Sequence, residues 1–425
     1  MVQPLRLLTF TSLFPNSAQP NHGIFVENRL RHLVAGGAVH STVLAPTWWF
    51  PFRSPRFGTW GAYARVPARE ERHGLVIHHP RALTVPKLGM NTAPYALYRA
   101  GRTALRRLIA EGQAFDAIDA HYLYPDGVAA LWLAREFALP LAITARGSDV
   151  TELPDYKVPR RLIGRAIAGA DALIAVSGGL KRRLVELGAP EDRVTVLRNG
   201  IDTAQFHPPP YDGIGDRAAA RAKLGLTRPT LISVGGLIPR KRHNLTIDAL
   251  ALLPDWDLLI VGAGPEHARL AAQAASRGLG GRVRLLGPQP HAALPAFYGA
   301  ADAMVLASSR EGWANVLLES MACGTPVVAS DIPGNPEVVQ TRAAGLIVGE
   351  NTAEGIAAAV RDLFATPTDR AATRHYAEAF GWEETSAGQL ALFRRITGAA
   401  PAYPAHPVVQ HAIHGASSHP SGQAA

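Results

Sequence analysis

The chain has 425 residues, 47% of them hydrophobic and 18% charged, which is enough apolar content for two or three domains with large cores and too much for a disordered chain. A single cysteine, Cys323, excludes a disulfide framework and a multi-thiolate metal site, suits a reducing compartment, and reads as a small buried residue after a helix. The net charge of +9 belongs to the first half: residues 1–200 carry 25 Lys and Arg against 15 Asp and Glu, and residues 201–425 carry 18 against 19, with no nucleic-acid-binding motif beside them.

The opening MVQPLRLLTFTSLFPN has too short an apolar stretch and no small-residue cleavage site for a signal peptide, so LRLLTF reads as a first strand. No uninterrupted apolar run approaches the roughly 20 residues that span a bilayer. The expectation is a cytoplasmic protein, with the inner face of the cytoplasmic membrane as a candidate peripheral seat. STVLAP, LVIHHP, FDAIDAHY, LPLAITA, ADALIAVS and RVTVLRNG continue as strands, and GIFVENRLRHLVAGG, PDGVAALWLAREF and PRRLIGRAIAGA as helices between them. The segment YALYRAGRTALRRL, residues 95–108, reads as a helix gathering Arg99, Arg102 and Arg106 on one side, either an ordinary solvated face or a contact for an anionic bilayer. Trp48, Trp49 and Phe50, followed by Phe52 and Arg53, are an acceptor or membrane contact or a packed loop. His121 reads first as a satisfied half-buried histidine and second as a cleft residue.

The rhythm breaks at FHPPPYDGIGDR, residues 206–217, and restarts with LISVGG, DLLIVGAG, VRLLG, ADAMVLAS, TPVVAS and AGLIVG. Strand and helix alternating on both sides of a linker predict an α/β protein of two Rossmann-like doubly wound domains facing a central cleft. The division is 1–205, linker 206–217, 218–380, and a helix over 381–397 returning to the N-terminal domain. The stretch 398–425 reads as a disordered tail whose His406, His411, His414 and His419 imply no fixed ligand geometry.

In SREGWANVLLESMACGTPVVAS, residues 309–330, two carboxylates bracket an apolar run. ADAMVLAS is the strand before it, so Glu311 falls in the loop at the strand's C-terminal end and Glu319 on the helix VLLESMACG, closed by Gly324. The backbone of Gly312, Trp313, Ala314 and Asn315 would then present N–H groups at a helix N-terminus, a setting for an anion such as a diphosphate. Carboxylates nearby suit neutral hydroxyls flanking that anion, which makes sugar hydroxyls the natural candidates.

EGWANVLLE, followed by ESMACGTPVVAS, resembles the donor-binding signature of the large retaining GT-B glycosyltransferase family that uses nucleotide-diphosphate sugars. LISVGGLIPRKRHNLTIDAL, IVGAGPEHARL and VRLLGPQPHAALPAFYGAADAMVLAS resemble its preceding segments in the same order. PNSAQPNHGIFVENRLRHLVAGG resembles the glycine loop of the subgroup that builds exopolysaccharides and teichuronic-acid-type polymers. The resemblance implies that Glu319 binds the ribose hydroxyls, that Glu311 contacts the donor sugar beside the amides of Gly312 to Val316, and that Lys241 neutralises the diphosphate leaving group with Arg240 or Arg242 assisting. Gly23 would allow close backbone approach to the donor. Two departures stand out: Gly235-Gly236 replaces the family's Gly-Arg, and Arg146 occupies the place of a histidine near the reaction centre. Catalytic roles are therefore expected of Glu311, Lys241 and Arg146, and donor binding of Gly23, Gly235, Gly236, Arg240, Lys241, Gly312, Trp313, Ala314, Asn315, Val316 and Glu319.

The implied reaction moves a sugar, with retention, from a nucleotide sugar to a glycan or polyprenyl-linked acceptor in cell-surface polysaccharide biosynthesis. An anionic membrane surface is a candidate further partner, and nucleic acid is not one. No cofactor is expected beyond the donor substrate, and no metal, since the chain lacks the Asp-x-Asp type of site that holds a divalent ion against the diphosphate. A sugar-nucleotide epimerase of the same architecture and a non-catalytic nucleotide-sugar-binding subunit are the alternatives. A dinucleotide-dependent dehydrogenase is disfavoured because GAGPEH lacks the third glycine of its phosphate turn.

Overall fold

Runs such as LRLLTF and LAITA are apolar almost throughout, as suits parallel strands covered by helices on both faces rather than half-exposed antiparallel ones. The computed structural model, which describes residues 3–84, 89–210, 216–366 and 368–399, gathers such runs into two sheets. Of the tail beyond residue 397, only Gly398 and Ala399 lie within the described residues, so its four histidines fall outside them, as do residues 211–215 of the expected linker.

The first sheet has eight strands, in the order Val194–Val196, Ala172–Ala175, Leu141–Ala145, Ala117–His121, Leu5–Phe10, Val39–Leu44, Leu75–His78 and Arg69–Arg72. All neighbours are parallel except the last pair, where Arg69–Arg72 turns back antiparallel at the edge. The second has six parallel strands, Val283–Leu285, Asp257–Val261, Thr230–Val234, Ala303–Leu306, Val327–Ser330 and Gly345–Val348. Each order reverses beside the strand that begins its domain, which creates a crevice at the C-terminal strand ends where open α/β sheets take ligands. The fold is α/β with two Rossmann-like domains.

The chain crosses between domains at two adjacent places. The amide of Ile201 donates to the carbonyl of Phe380 at 2.8 Å, and Thr385 Oγ1 donates to the carbonyl of Arg198. Gly200 leaves no room for a Cβ, which would lie 2.6 Å from the carbonyl oxygen of Gly381. Beyond this crossing the helix Glu383–Thr397 lays Leu392 and Phe393 into the cluster of Leu5, Leu7, Val26 and Leu30 in the N-terminal domain. Phe206, in the expected linker, is buried and sits edge-on to His291.

The helix Gly89–Ala110 extends well beyond residues 95–108 at its N-terminal end. Its Leu97, Ala104, Leu105 and Leu108 are buried in the core and so are withheld from any bilayer. Arg102 and Arg106 both bind the Glu136 carboxylate, at 2.7 and 2.6 Å, on the flank facing the helix Val128–Phe137. Phe50, Phe52, Phe57 and Trp60 form a ring cluster of their own, with Phe52 stacked on Phe57.

Candidate active site

The strand ends of both sheets open onto one cavity of about 710 Å³ between the domains. On the C-terminal side its walls come from the turns after Thr230–Val234 and Ala303–Leu306, the two strands flanking the reversal of strand order. Topology therefore brings Lys241 and Glu311 together although they are 70 residues apart.

Lys241 Nζ donates to Glu311 Oε1 at 2.5 Å, Ser308 Oγ donates to the same oxygen at 2.7 Å, and Arg240 Nη1 stands 3.4 Å from Oε2. Burial alone would raise the Glu311 carboxyl, but the charges of Lys241 and Arg240 and these hydrogen bonds hold it below the usual carboxylate range. The result is an ionised acid carrying two cations at the cavity wall. Gly235 and Gly236 line the same wall; Gly235 has φ 154°, and a Cβ there would press on the Lys241 side chain at 3.3 Å. The helix Asn315–Ala322 begins at the cavity, and Gly312 through Val316 line it. One turn further in, Glu319 is 8% exposed, accepts from Tyr298 Oη at 2.9 Å, and faces His291 Nε2 at 3.3 Å.

On the N-terminal side, Asn21, Ile24 and Phe25 line the cavity, but Gly23 itself does not. Gly23 has φ 70°, and a Cβ would meet the Leu13 backbone at 2.3 Å, so its lack of a side chain seats the loop that presents its neighbours. Arg146 follows the strand Leu141–Ala145 and lines the cavity with its guanidinium 5.3 Å over the Phe25 ring. Its Nη2 donates to His121 Nδ1 at 2.8 Å and its Nη1 to Asn199 Oδ1 at 3.0 Å. Burial lowers the Arg146 pKa to about 10, against the opposing pull of Asp119 and Asp149, so it stays cationic near neutrality. The Asp149 carboxylate shapes this turn by accepting from the amides of Leu123, Arg146 and Gly147.

Here the reading of His121 needs correcting. It is fully buried rather than half-buried, and it acts under the cleft by holding Arg146. With Nδ1 accepting from an arginine, the ring proton lies on Nε2, 3.3 Å from Asp119 Oδ2. An Asp-x-Asp triplet does occur, Asp255-Trp256-Asp257, but Asp257 opens the strand Asp257–Val261 at the end of the sheet remote from the cavity and stands 3.7 Å from Arg228.

The two domains approach closely at this site. A Cβ on Gly312 would fall 1.9 Å from the carbonyl oxygen of Arg146, and Asn199 Nδ2 donates to Asn315 Oδ1 at 3.2 Å across the cleft. The cavity thus collects Arg146, Gly235, Gly236, Arg240, Lys241, Glu311 to Val316 and Glu319, and leaves out Gly23. His291, Tyr298, Asn199 and Asp149 were not marked as site residues by the sequence. For Asn199 a signal exists: Arg198-Asn199-Gly200 lies just past the end of the strand Val194–Val196, where ligand-binding turns lie.

Residues 24–205 match the family model Glycosyltransferase Family 4, and residues 216–380 match Glycosyl transferases group 1. The chain is 33% identical over 309 residues to proteins of Mycobacterium tuberculosis and Mycobacterium bovis named D-inositol 3-phosphate glycosyltransferase, an alignment covering 67% of this chain. It spans 62% of the length of those relatives. Among solved structures, sucrose-phosphate synthase of Thermosynechococcus elongatus superposes with a TM-score of 0.77 at 21% identity, covering 93% of this chain and 100% of that one. HepE of Anabaena in complex with UDP and glucose gives 0.69 at 21%, covering 92% and 100%.

Proposed function

The chain carries the paired domains of the GT-B glycosyltransferases, and from that premise we propose that it moves a hexose-type unit, with retention, from a nucleoside-diphosphate sugar to a glycan or polyprenyl-linked acceptor in cell-surface polysaccharide biosynthesis. The observation that carries this reading is the cluster of Lys241, Arg240 and Glu311 beside the start of the helix Asn315–Ala322. A diphosphate placed there meets two cations and a helix N-terminus, while Glu311 faces the adjoining sugar hydroxyls. Glu319, deeper and paired with Tyr298 and His291, suits the ribose hydroxyls.

The chemistry follows from where charge grows. As the bond between the anomeric carbon and the phosphate oxygen breaks, negative charge accumulates on the diphosphate, and Lys241 and Arg240 stabilise it more than they stabilise the intact donor. The acceptor hydroxyl attacks the anomeric carbon on the face the phosphate leaves, and a phosphate oxygen takes its proton. Arg146, fixed by His121 and Asn199, supplies a cation on the opposite wall of the cleft. In this scheme the basic side chains and the helix end do what a divalent ion would otherwise do, so no metal is required. An acceptor on a polyprenyl carrier brings the protein to an anionic membrane, a setting its basic residues 1–200 favour.

Incubation with UDP-, GDP- and ADP-sugars in EDTA, with and without acceptors, tests the proposal. UDP-glucose leads the donor panel because HepE is seen with UDP and glucose, and D-inositol 3-phosphate joins the acceptors because the mycobacterial relatives are named for it. The expected result is acceptor-dependent transfer with retained configuration by NMR, and a Lys241→Ala variant slower by roughly 10²- to 10³-fold in kcat. An inverted product, a need for manganese, or epimerisation without acceptor overturns it.

A further inference from the structure

Outside the cleft the N-terminal domain has a second large cavity, about 920 Å³, between the helix Gly89–Ala110 and the end of the strand Leu75–His78. Its composition is two-sided. Leu83, Tyr95, Ala96 and Ala100 give it an apolar floor, with Leu83 69% and Tyr95 55% exposed. Arg99 and Arg107, two helical turns apart, line it with His78 and Arg81.

The cations there differ in how far they are already engaged. Arg81 is spoken for by the carbonyls of Tyr63 and Val66. Arg107 Nη2 reaches His78 Nδ1 at 3.4 Å, and its one acid, Glu111, stands 3.5 Å away with both side chains more than half exposed, a weak pairing. Arg99 lies 6.0 Å over the Tyr95 ring. His78 is 7% exposed, and its Nε2 is closed off from the cavity without a hydrogen-bond partner among the described residues. Two accessible guanidinium groups, neither held by a close acid, suit an oxyanion.

A series of shared lining residues runs from this cavity toward the cleft. His79 borders both it and a small pocket of about 170 Å³ lined by Leu13, Asn16, His22 and Trp48, and Leu13 in turn lines the donor cavity. We propose that this groove holds the prenyl-phosphate part of the acceptor, its phosphate on Arg99 and Arg107 and its hydrocarbon along Leu83, Tyr95, Ala96 and Ala100, with the glycan end directed past His79 toward the cleft. The inference rests on the reading of the protein as a transferase to a lipid-linked acceptor. It also moves the lipid contact from Arg102 and Arg106, which Glu136 occupies, to Arg99 and Arg107 of the same helix, which line the groove.

Calorimetric titration of the full chain with farnesyl phosphate below its micelle concentration, in the absence of any nucleotide sugar, tests it. Farnesyl phosphate should bind at least tenfold more tightly than farnesol or inorganic phosphate. The double variant Arg99→Gln/Arg107→Gln and the groove-filling Ala100→Trp should each weaken it at least tenfold, and Arg102→Gln/Arg106→Gln should leave it within twofold. Far-UV circular dichroism checks that each variant is folded, and the charge variant decides the matter alone if Ala100→Trp is not. Equal binding of inorganic phosphate, binding unchanged by the charge variant, or no binding of farnesyl phosphate overturns the groove. Because no donor is present, a failure to detect sugar transfer counts against the enzymatic reading and leaves this result standing.

Discussion

Burial alone would lower the pKa of His291, yet the carboxylate of Glu319 at 3.3 Å, with Asp202 and Glu27 further off, holds it above the ordinary histidine value. The folded state therefore favours the imidazolium. Its contribution to stability is complete below the unfolded value of about 6.5 and is lost as pH rises through the raised folded value. Proton NMR of the His291 ring should show titration above that ordinary value in the wild type. In Glu319→Gln, where desolvation loses its main opponent, the titration should drop below it; a wild-type ring titrating at or below the ordinary value removes the pair. Glu319 could be marked from its spacing to Glu311, but His291 lies 28 residues earlier and meets it only because the chain passes through the strand Ala303–Leu306 between them. The same limit explains Arg146. Its place in a motif made it a candidate, whereas its partners His121 and Asn199 come from the ends of two other segments of the sheet, 25 and 53 residues away.

Among the elements, the helix Glu383–Thr397 has the clearest energetic consequence, since it follows the C-terminal domain in sequence and packs on the N-terminal one. Phe393 is fully buried there, and Phe393→Ala should cost about 3–5 kcal/mol, the range for emptying a buried aromatic site. Hydrogen exchange locates the damage: amides of Leu5–Phe10 should lose protection while those of Asp257–Val261, whose outer face belongs to a separate cluster with Leu270 and Leu279, should keep it. Uniform loss across both strands would show that the helix does not act on one domain. Most parallel strands were legible because burial on both faces leaves a short continuous apolar run bounded by turn residues. Arg69–Arg72 was not, because REER is an antiparallel edge strand with no buried residue, carried by backbone pairing to Leu75–His78 and by the Arg72–Glu27 ion pair at 2.7 Å. The helix Gly89–Ala110 was legible as a basic helix, but which arginines remain accessible depends on Glu136, which belongs to another helix.

At the scale of the whole molecule, the cleft is only as well formed as the contact between its two halves. The Glu337 carboxylate, in the C-terminal domain, accepts from the amides of Gly178 and Gly179 at 2.9 and 3.0 Å and from Arg198 Nη2 at 3.0 Å, so it caps the helix Gly178–Glu186 of the other domain. Burial would raise this carboxyl, but the two amides and Arg198 outweigh it and keep the group ionised, as a charge at a helix N-terminus should be. A second bridge, Arg310 to Glu152 at 3.0 Å, has both side chains about 40% exposed, and such pairs contribute at most about 1 kcal/mol. The two bridges should therefore behave differently. Glu337→Ala removes three charge-assisted hydrogen bonds, each of about 1.5–3 kcal/mol when intact, and leaves two amides at a helix start without their acceptor. Pulsed electron resonance between spin labels on the two domains should show a longer and broader distance distribution for Glu337→Ala, and an unchanged one for Arg310→Gln. If the chain acts on a nucleotide sugar as proposed, the donor KM of Glu337→Ala should rise with it, because the contacts of Gly312 with Arg146 and of Asn315 with Asn199 span the same two domains. Superimposable distance distributions for wild type and Glu337→Ala would mean that closure is held by the crossing at Ile201 and Phe380 instead.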